Sequence, residues 1–500
     1  MMKKIISIVS VIFILLSVFT ACTDTEEQES TSIQKGEKVE SSVLTLPYST
    51  NDSLNPYLCE TSENSYIAAL VYESLFTVNA DFTVNPILAR SYKPTNLLIK
   101  VTIKTDVKFS NNSNLTAQDV INSFNLAKES PNYSQSLSNF TTATAHDSTT
   151  VVFTMEKLKV NAVSCLDFPI VKVSGEKLYG TGNYMINYET LVVNKNSATA
   201  SSVRNQKIVL KELPKGEGLY NSIEVGSVSA YYDDLSSGTV TPVTANMVSI
   251  PTNNLVYLGF NASEGEQLAD KNVRKAISLA IDRENIVSSC FQTQATATTL
   301  PFNPQWKSAP GIDESALTSN QQNAEAILKK SGYERNYLET YYKGESVLNL
   351  TLVVSKKNAF KTAMAQAVAT DLEKIGIDVT VSELESTDFE TAVTNGNFDI
   401  YIGEVKQTND MSLSPFFAQG NILSVGVDKN SSSAKACEAY ENGTKTLKDF
   451  IKMYNLEIPF AAICYRKGIL YYTKELADNV NGTYKSVYSN INSWHFNKSY

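Results

Sequence analysis

The sequence predicts an α/β fold divided among two or three lobes, and three observations carry that prediction. The chain has 500 residues, 42% hydrophobic and 10% aromatic, which is enough apolar material for more than one sizeable core. Its segments alternate between the period-2 pattern of strands and the 3.6-residue pattern of helices. One stretch runs strand, helix, strand. Leu348, Leu350, Leu352 and Val354 alternate; Phe360, Met364, Ala367, Val368, Leu372 and Ile375 share a helical face closed by Gly376; Ile377, Val379 and Val381 alternate again. That order implies a parallel pair joined by a right-handed crossover.

From the N-terminus, Lys3 and Lys4 precede an apolar run over residues 5–19, shorter than the roughly 20 residues a spanning helix needs. The run ends at Phe19-Thr20-Ala21-Cys22, so residues 1–21 are expected to be a cleaved export signal. The segment resembles a bacterial lipobox, and the resemblance implies a diacylglyceryl group on Cys22. An ordinary signal peptide with an incidental cysteine is the competing reading. Residues 22–42 are polar and acidic and predict a flexible tether.

Residues 97–109 carry apolar side chains at odd positions, Thr105 excepted, and predict a strand or hairpin. Thr116 with Asp119 forms a capping-box pattern before Val120, Ile121, Phe124 and Ala127, and Pro131 ends that helix. Residues 256–260 predict a strand, and Val273, Ala276, Ile277, Ala280 and Ile281 stripe a helix flanked by Arg274 and Arg283, with Asp282 placed to cap or pair locally. Ser319 with Gln322 predicts a second capping box, with Gly332 at the helix end. A further strand is expected over residues 398–402.

Charge and motifs exclude several functions. A net charge of −9 opposes binding to nucleic acid or anionic headgroups. Phosphate-loop, C-x-x-C, H-E-x-x-H and G-x-S-x-G patterns are absent from the sequence. His146 and His495 stand far apart, a poor basis for hydrolysis or for a metal site, so no metal and no cofactor are expected. Asp233-Asp234 is expected in a solvated turn before Gly238. Beyond Cys22 there are Cys59, Cys165, Cys290, Cys437 and Cys464, which allow at most two disulfides whose pairing sequence does not fix.

Val256-Tyr257-Leu258-Gly259-Phe260-Asn261, then Asn272-Val273-Arg274-Lys275-Ala276-Ile277, then Ala280-Ile281-Asp282-Arg283-Glu284-Asn285-Ile286-Val287 resembles the signature of family 5 extracellular solute-binding proteins, the oligopeptide, dipeptide and nickel receptors of ABC importers. Leu54-Asn55-Pro56, Tyr72-Glu73-Ser74-Leu75, Asn85-Pro86-Ile87-Leu88-Ala89, Val107-Lys108-Phe109, Leu115-Thr116-Ala117-Gln118-Asp119-Val120, Gly180-Thr181-Gly182-Asn183-Tyr184 and Ile458-Pro459-Phe460 follow in the same order as in that family. Most of these residues are expected to serve structure; the G-T-G turn, for instance, suits positive φ.

The resemblance implies a bilobal periplasmic-binding-protein fold of the large type with an extra subdomain in the first lobe. Lobe I would take residues 43–260 with a subdomain at about 57–157; lobe II would take 261–458; residues 459–500 would return to lobe I, with a hinge near Asn261 and Pro459. It further implies a monomeric, lipid-anchored protein on the outer face of the cell membrane. That protein would capture a short peptide, hand it to an ABC permease and catalyse nothing. Another solute (a metal chelate, an oligosaccharide, a signalling peptide) and a surface lipoprotein hydrolase are the alternatives.

The site is expected in Gly403-Glu404-Val405-Lys406-Gln407-Thr408-Asn409-Asp410, beyond the strand at 398–402, since ligands of open α/β sheets bind past strand ends. In the peptide-binding members this region resembles, an aspartate a few residues after the glycine holds the peptide's α-ammonium and an aromatic follows the glycine. Here Glu404 replaces the aromatic and Gln407 stands at the aspartate's count. The candidate ligand-binding residues are therefore Asp410, Glu404 and Asn409, against the alternative of a solvated acidic loop.

Overall fold

The computed structural model describes residues 43–497 except 214–216, 309–314, 337–338 and 478; residues 1–42, with Cys22, lie outside it. A seven-stranded sheet organises the molecule, in the order Ala230–Asp233, Phe460–Tyr472, Asn246–Phe260, Ile400–Lys406, Asn349–Ser355 and Asp378–Leu384, with Ala295–Ala297 paired onto Phe460–Tyr472. The expected crossover is present. Asn349–Ser355 and Asp378–Leu384 run parallel, joined by the helix Ala359–Lys374, which buries Phe360, Met364, Val368 and Leu372.

Two four-stranded sheets precede it. Leu44–Tyr48 pairs in parallel with Lys207–Glu212, extended by Thr190–Val193 and Tyr184–Asn187. Leu98–Ile103 sits inside a four-stranded antiparallel sheet and buries Ile99, Val101 and Ile103, as its alternation requires. Against that sheet lies the helix Ala117–Glu129, with the Thr116–Asp119 capping box formed in both directions.

Apolar side chains gather into two cores. One holds most of the core residues of 255–469 together with, among others, Val78, Phe82 and Tyr471; the other holds most of those of 44–210 and 470–496. The paired strands Asn246–Phe260 and Phe460–Tyr472 thread both, with Ile250 and Leu470 in the second core and Leu255 and Phe460 in the first. Their ladder shifts register between Pro251 and Leu255, where the chain passes from one core to the other.

Local details depart from the sequence expectations in instructive ways. The helix Gln321–Lys330 is capped by Asn320, whose side chain accepts from Asn323 N, and not by Ser319. The glycines of Gly180-Thr181-Gly182 are not at positive φ. They are needed because a Cβ would fall 2.0 Å from Val71 O at Gly180 and 2.7 Å from Leu70 O at Gly182. Asp233 is buried, accepting from Tyr220 Oη at 2.7 Å and from Leu235 N at 2.8 Å, rather than solvated. Arg274 and Arg283 are structural, as expected. Both are buried and donate only to protein oxygens, Arg274 to carbonyls of residues 268, 269, 457 and 458. Asp282 caps the helix Arg283–Ser289 through Asn285 N. The five described cysteines are buried free thiols.

Candidate functional site

The strand expected to end at residue 402 continues to Lys406, and this moves Glu404 out of any loop. Two tyrosines explain the extension. The ring of Tyr257 covers Gly403 and the ring of Tyr401 covers Gly259 across the same pair of strands, with the two phenols 3.1 Å apart. A Cβ at Gly259 would come within 1.9 Å of the Tyr401 ring, so glycine here makes room for buried aromatics.

Glu404 stands opposite Val256 and points at cations of the protein. Its carboxylate meets Arg466 Nε at 2.6 Å, Lys361 Nζ at 2.8 Å and Asn254 Nδ2 at 2.8 Å. Burial by itself would raise this carboxyl, but Arg466 and then Lys361 bring it down to about 2. Asp410 is also buried, with Lys159 Nζ at 2.8 Å, close enough for an ion pair although not aligned as a hydrogen bond. It accepts from Thr408 Oγ1 at 2.5 Å. Asn409 donates to Ser164 O at 3.0 Å and Asp167 Oδ2 at 2.8 Å, and accepts from Tyr484 Oη at 2.9 Å. Asn409 and Asp410 are thus docked onto residues 159–167 and 484, while Gln407 donates to Pro301 O and accepts from Tyr465 Oη.

A cavity of about 610 Å³ lies where the end of this strand meets residues of the second core. That volume falls within the roughly 300–1,000 Å³ of small-molecule sites. Its walls are aromatic at Tyr66, Tyr72, Phe76, Tyr133 and Tyr484 and charged at Glu73, Asp167, Lys406 and Lys485. Glu404, Asp410 and Asn409 are not among the walls; Asn409 reaches the site only through Asp167 and Tyr484. Asp167 is ion-paired with Lys485. Burial pushes the Glu73 carboxyl up, against Thr181 and Lys104.

Lys406 differs from Lys485, the other cation in the walls. Its side chain is exposed and lines the cavity, and among the described residues it forms neither an ion pair nor a side-chain hydrogen bond. Enclosure by the cavity walls, and then the nearby Lys485, hold its ammonium below the usual lysine range, while Asp167 and Asp234 act in the opposite sense.

A smaller cavity of about 190 Å³ lies beside Ala262 and Pro459, and two of its charged residues, Arg274 and Glu457, are committed to structure. Arg274 holds four carbonyls, and the Glu457 carboxylate accepts from Ser432 N and Ser433 N at the start of the helix Ser432–Glu441. His146 and His495 are exposed and line neither cavity. No cluster of His, Cys, Asp or Glu among the described residues is arranged to hold a metal ion.

Sequence reasoning missed Lys406, Asp167, Lys485 and the aromatic walls. Lys406 was within sight, because the alternation continues through Val405, but the charges at 404 and 406 masked it. Asp167 and Lys485 come together only through the fold.

Comparison with known proteins agrees with this architecture. Residues 83–422 match the family model described as bacterial extracellular solute-binding proteins, family 5 middle. Among curated proteins, the nickel-binding protein NikA of Staphylococcus aureus is 26% identical over 367 residues, covering 68% of this chain and 69% of its own. The oligopeptide-binding protein AppA of Bacillus subtilis is 26% identical over 183 residues, covering 36% of this chain and 33% of its own. Among solved structures, a nickel ABC transporter protein from Bacillus halodurans superposes with a TM-score of 0.74 at 18% identity, over 91% of this chain and 99% of that one.

Proposed function

Because the chain belongs to the bacterial extracellular solute-binding proteins of family 5, we propose that it captures a short peptide and delivers it to an ABC permease without chemical turnover. The observation that carries this reading is the aromatic-walled cavity of about 610 Å³ with charges of both signs in its walls. Such walls suit a zwitterionic chain whose amide groups and side chains both need partners. In this reading lobe I takes residues 43–260 and 459–500 and lobe II takes 261–458. The lobes close by bending at the chain crossings near Asn261 and Pro459. Asp410, Glu404 and Asn409 then set the position of the 403–410 segment and do not hold the solute's ammonium themselves.

The test is mass spectrometry of solute released by denaturing protein purified from its own cells. Peptides of a few residues in near-stoichiometric amount are expected. A metal chelate or an oligosaccharide in their place would overturn the peptide reading.

We also propose that Cys22 carries a lipid that holds the protein at the outer face of the membrane. The supporting features are the apolar run over residues 5–19 and the acidic tether after Cys22; no helix among the described residues is long and apolar enough to cross a membrane. Cys22→Ala is expected to accumulate as precursor or to be shed into the medium. Processing and fractionation identical to wild type would show that the anchor lies elsewhere.

A further inference from the structure

The strand end that reaches the cavity delivers an uncompensated cation, and this bears on what the solute must look like. The inference rests on the capture reading above. We propose that the solute presents a carboxylate to Lys406, so that the cleft selects ligands by an anionic end.

Four observations lead there. Lys406 is the last residue of Ile400–Lys406 and faces the cavity with no ionic or side-chain hydrogen-bond partner among the described residues. The other charges that this strand and its following segment carry are matched inside the protein: Glu404 by Arg466 and Lys361, Asp410 by Lys159. The second cation in the wall, Lys485, already has Asp167, which Asn409 also engages. Finally, the backbone at Lys406 is fixed rather than adaptable. Lys406 pairs with Asn254 at the register shift, and the next residue is clamped by Asn253, with Gln407 N donating to Asn253 O at 2.9 Å and Asn253 Nδ2 donating to Gln407 O at 3.0 Å.

An ammonium carried on a fixed backbone at the wall of an aromatic-lined cavity, with no ionic partner there, gains most from an ionised acceptor. The lowered lysine range at Lys406 fits a site whose anion arrives with the ligand. A carboxylate could come from a peptide C-terminus, from an acidic side chain, or from the amino-acid ligands of a metal chelate.

The experiment separates these sources. Full-length protein, freed of retained solute, is incubated with an equimolar tripeptide library as free acids, with the same library as C-terminal amides, and with nickel(II) carrying two histidines. Bound species are read by native mass spectrometry for wild type, Lys406→Met and Lys406→Arg. Free acids should bind and amides should fall by roughly ten- to a hundredfold, except members carrying Asp or Glu if the side chain is the source. Lys406→Met should abolish the discrimination and Lys406→Arg should keep it, with both variants melting as wild type does. Amides that bind as well as acids, or discrimination that survives in Lys406→Met, overturn the proposal and leave the peptide reading intact. If only the chelate binds, the peptide reading fails, and the carboxylate proposal holds only if Lys406→Met weakens the chelate by a similar factor. Binding of none of the three probes overturns both.

Discussion

Glu404→Gln is expected to lower stability by about 3–5 kcal/mol at neutral pH in the absence of any solute. The carboxylate is the common partner of Arg466, 4% exposed, and Lys361, 19% exposed, and a neutral amide would leave two cations facing each other with little water. Urea unfolding followed by circular dichroism measures the loss. The double variant Glu404→Gln/Lys361→Met should recover part of it, because one of the stranded charges is gone. The same group makes an acid prediction. Its folded carboxyl is depressed to about 2 from an ordinary 4.5, so its contribution is fully present above about pH 4.5 and is lost as pH falls through about 2. Wild-type stability should decline across that window, and the decline should be shallower in Glu404→Gln. An unchanged urea midpoint at pH 7, or superimposable acid profiles, would show that Glu404 does not join these strands.

The second large effect is at Arg283. Its guanidinium is buried with no carboxylate partner among the described residues and is pulled down by that burial to about 10. Its Nε donates to Ala462 O at 2.8 Å, Nη1 to Ser278 O at 2.9 Å and Leu317 O at 3.4 Å, and Nη2 to Ser278 Oγ at 2.9 Å. The side chain thus ties the end of the helix Lys271–Ala280 to the strand Phe460–Tyr472 through groups that water does not reach. Arg283→Met fills much of the same space but orphans three carbonyls, each costing about 1–3 kcal/mol, so a total loss of about 3 kcal/mol or more is expected. Arg283→Lys, which keeps the charge but lacks the planar fork, should fall between wild type and Met. A Met variant within about 1 kcal/mol of wild type would mean that neighbouring groups satisfy those carbonyls.

Much of the fold was legible because it is written locally. The alternation at Leu348, Leu350, Leu352 and Val354, the helical stripe from Phe360 to Ile375 and the Thr116–Asp119 cap each report a neighbourhood of a few residues, and each appears as expected. The signature around Tyr257-Leu258-Gly259-Phe260 was visible as a pattern, but its cause was not. Gly259 is required by the ring of Tyr401, which is 142 residues away along the chain and adjacent only across two paired strands.

By itself, the sequence determined the α/β class, the order of the elements, the family resemblance and the absence of catalytic motifs. It also drew attention to the segment 403–410, because a glycine followed by polar residues after an apolar run is a local signal. Only the tertiary structure decided which charge in that segment is free. Charges in a folded protein are assigned by what lies across from them, and here the partners are distant in sequence: Arg466 and Lys361 for Glu404, Lys159 for Asp410. Sequence inspection weighs every carboxylate and every lysine alike. Once those distant cations have claimed the two carboxylates, Lys406 is the charge of that segment left facing the cavity without an ion-pair partner among the described residues.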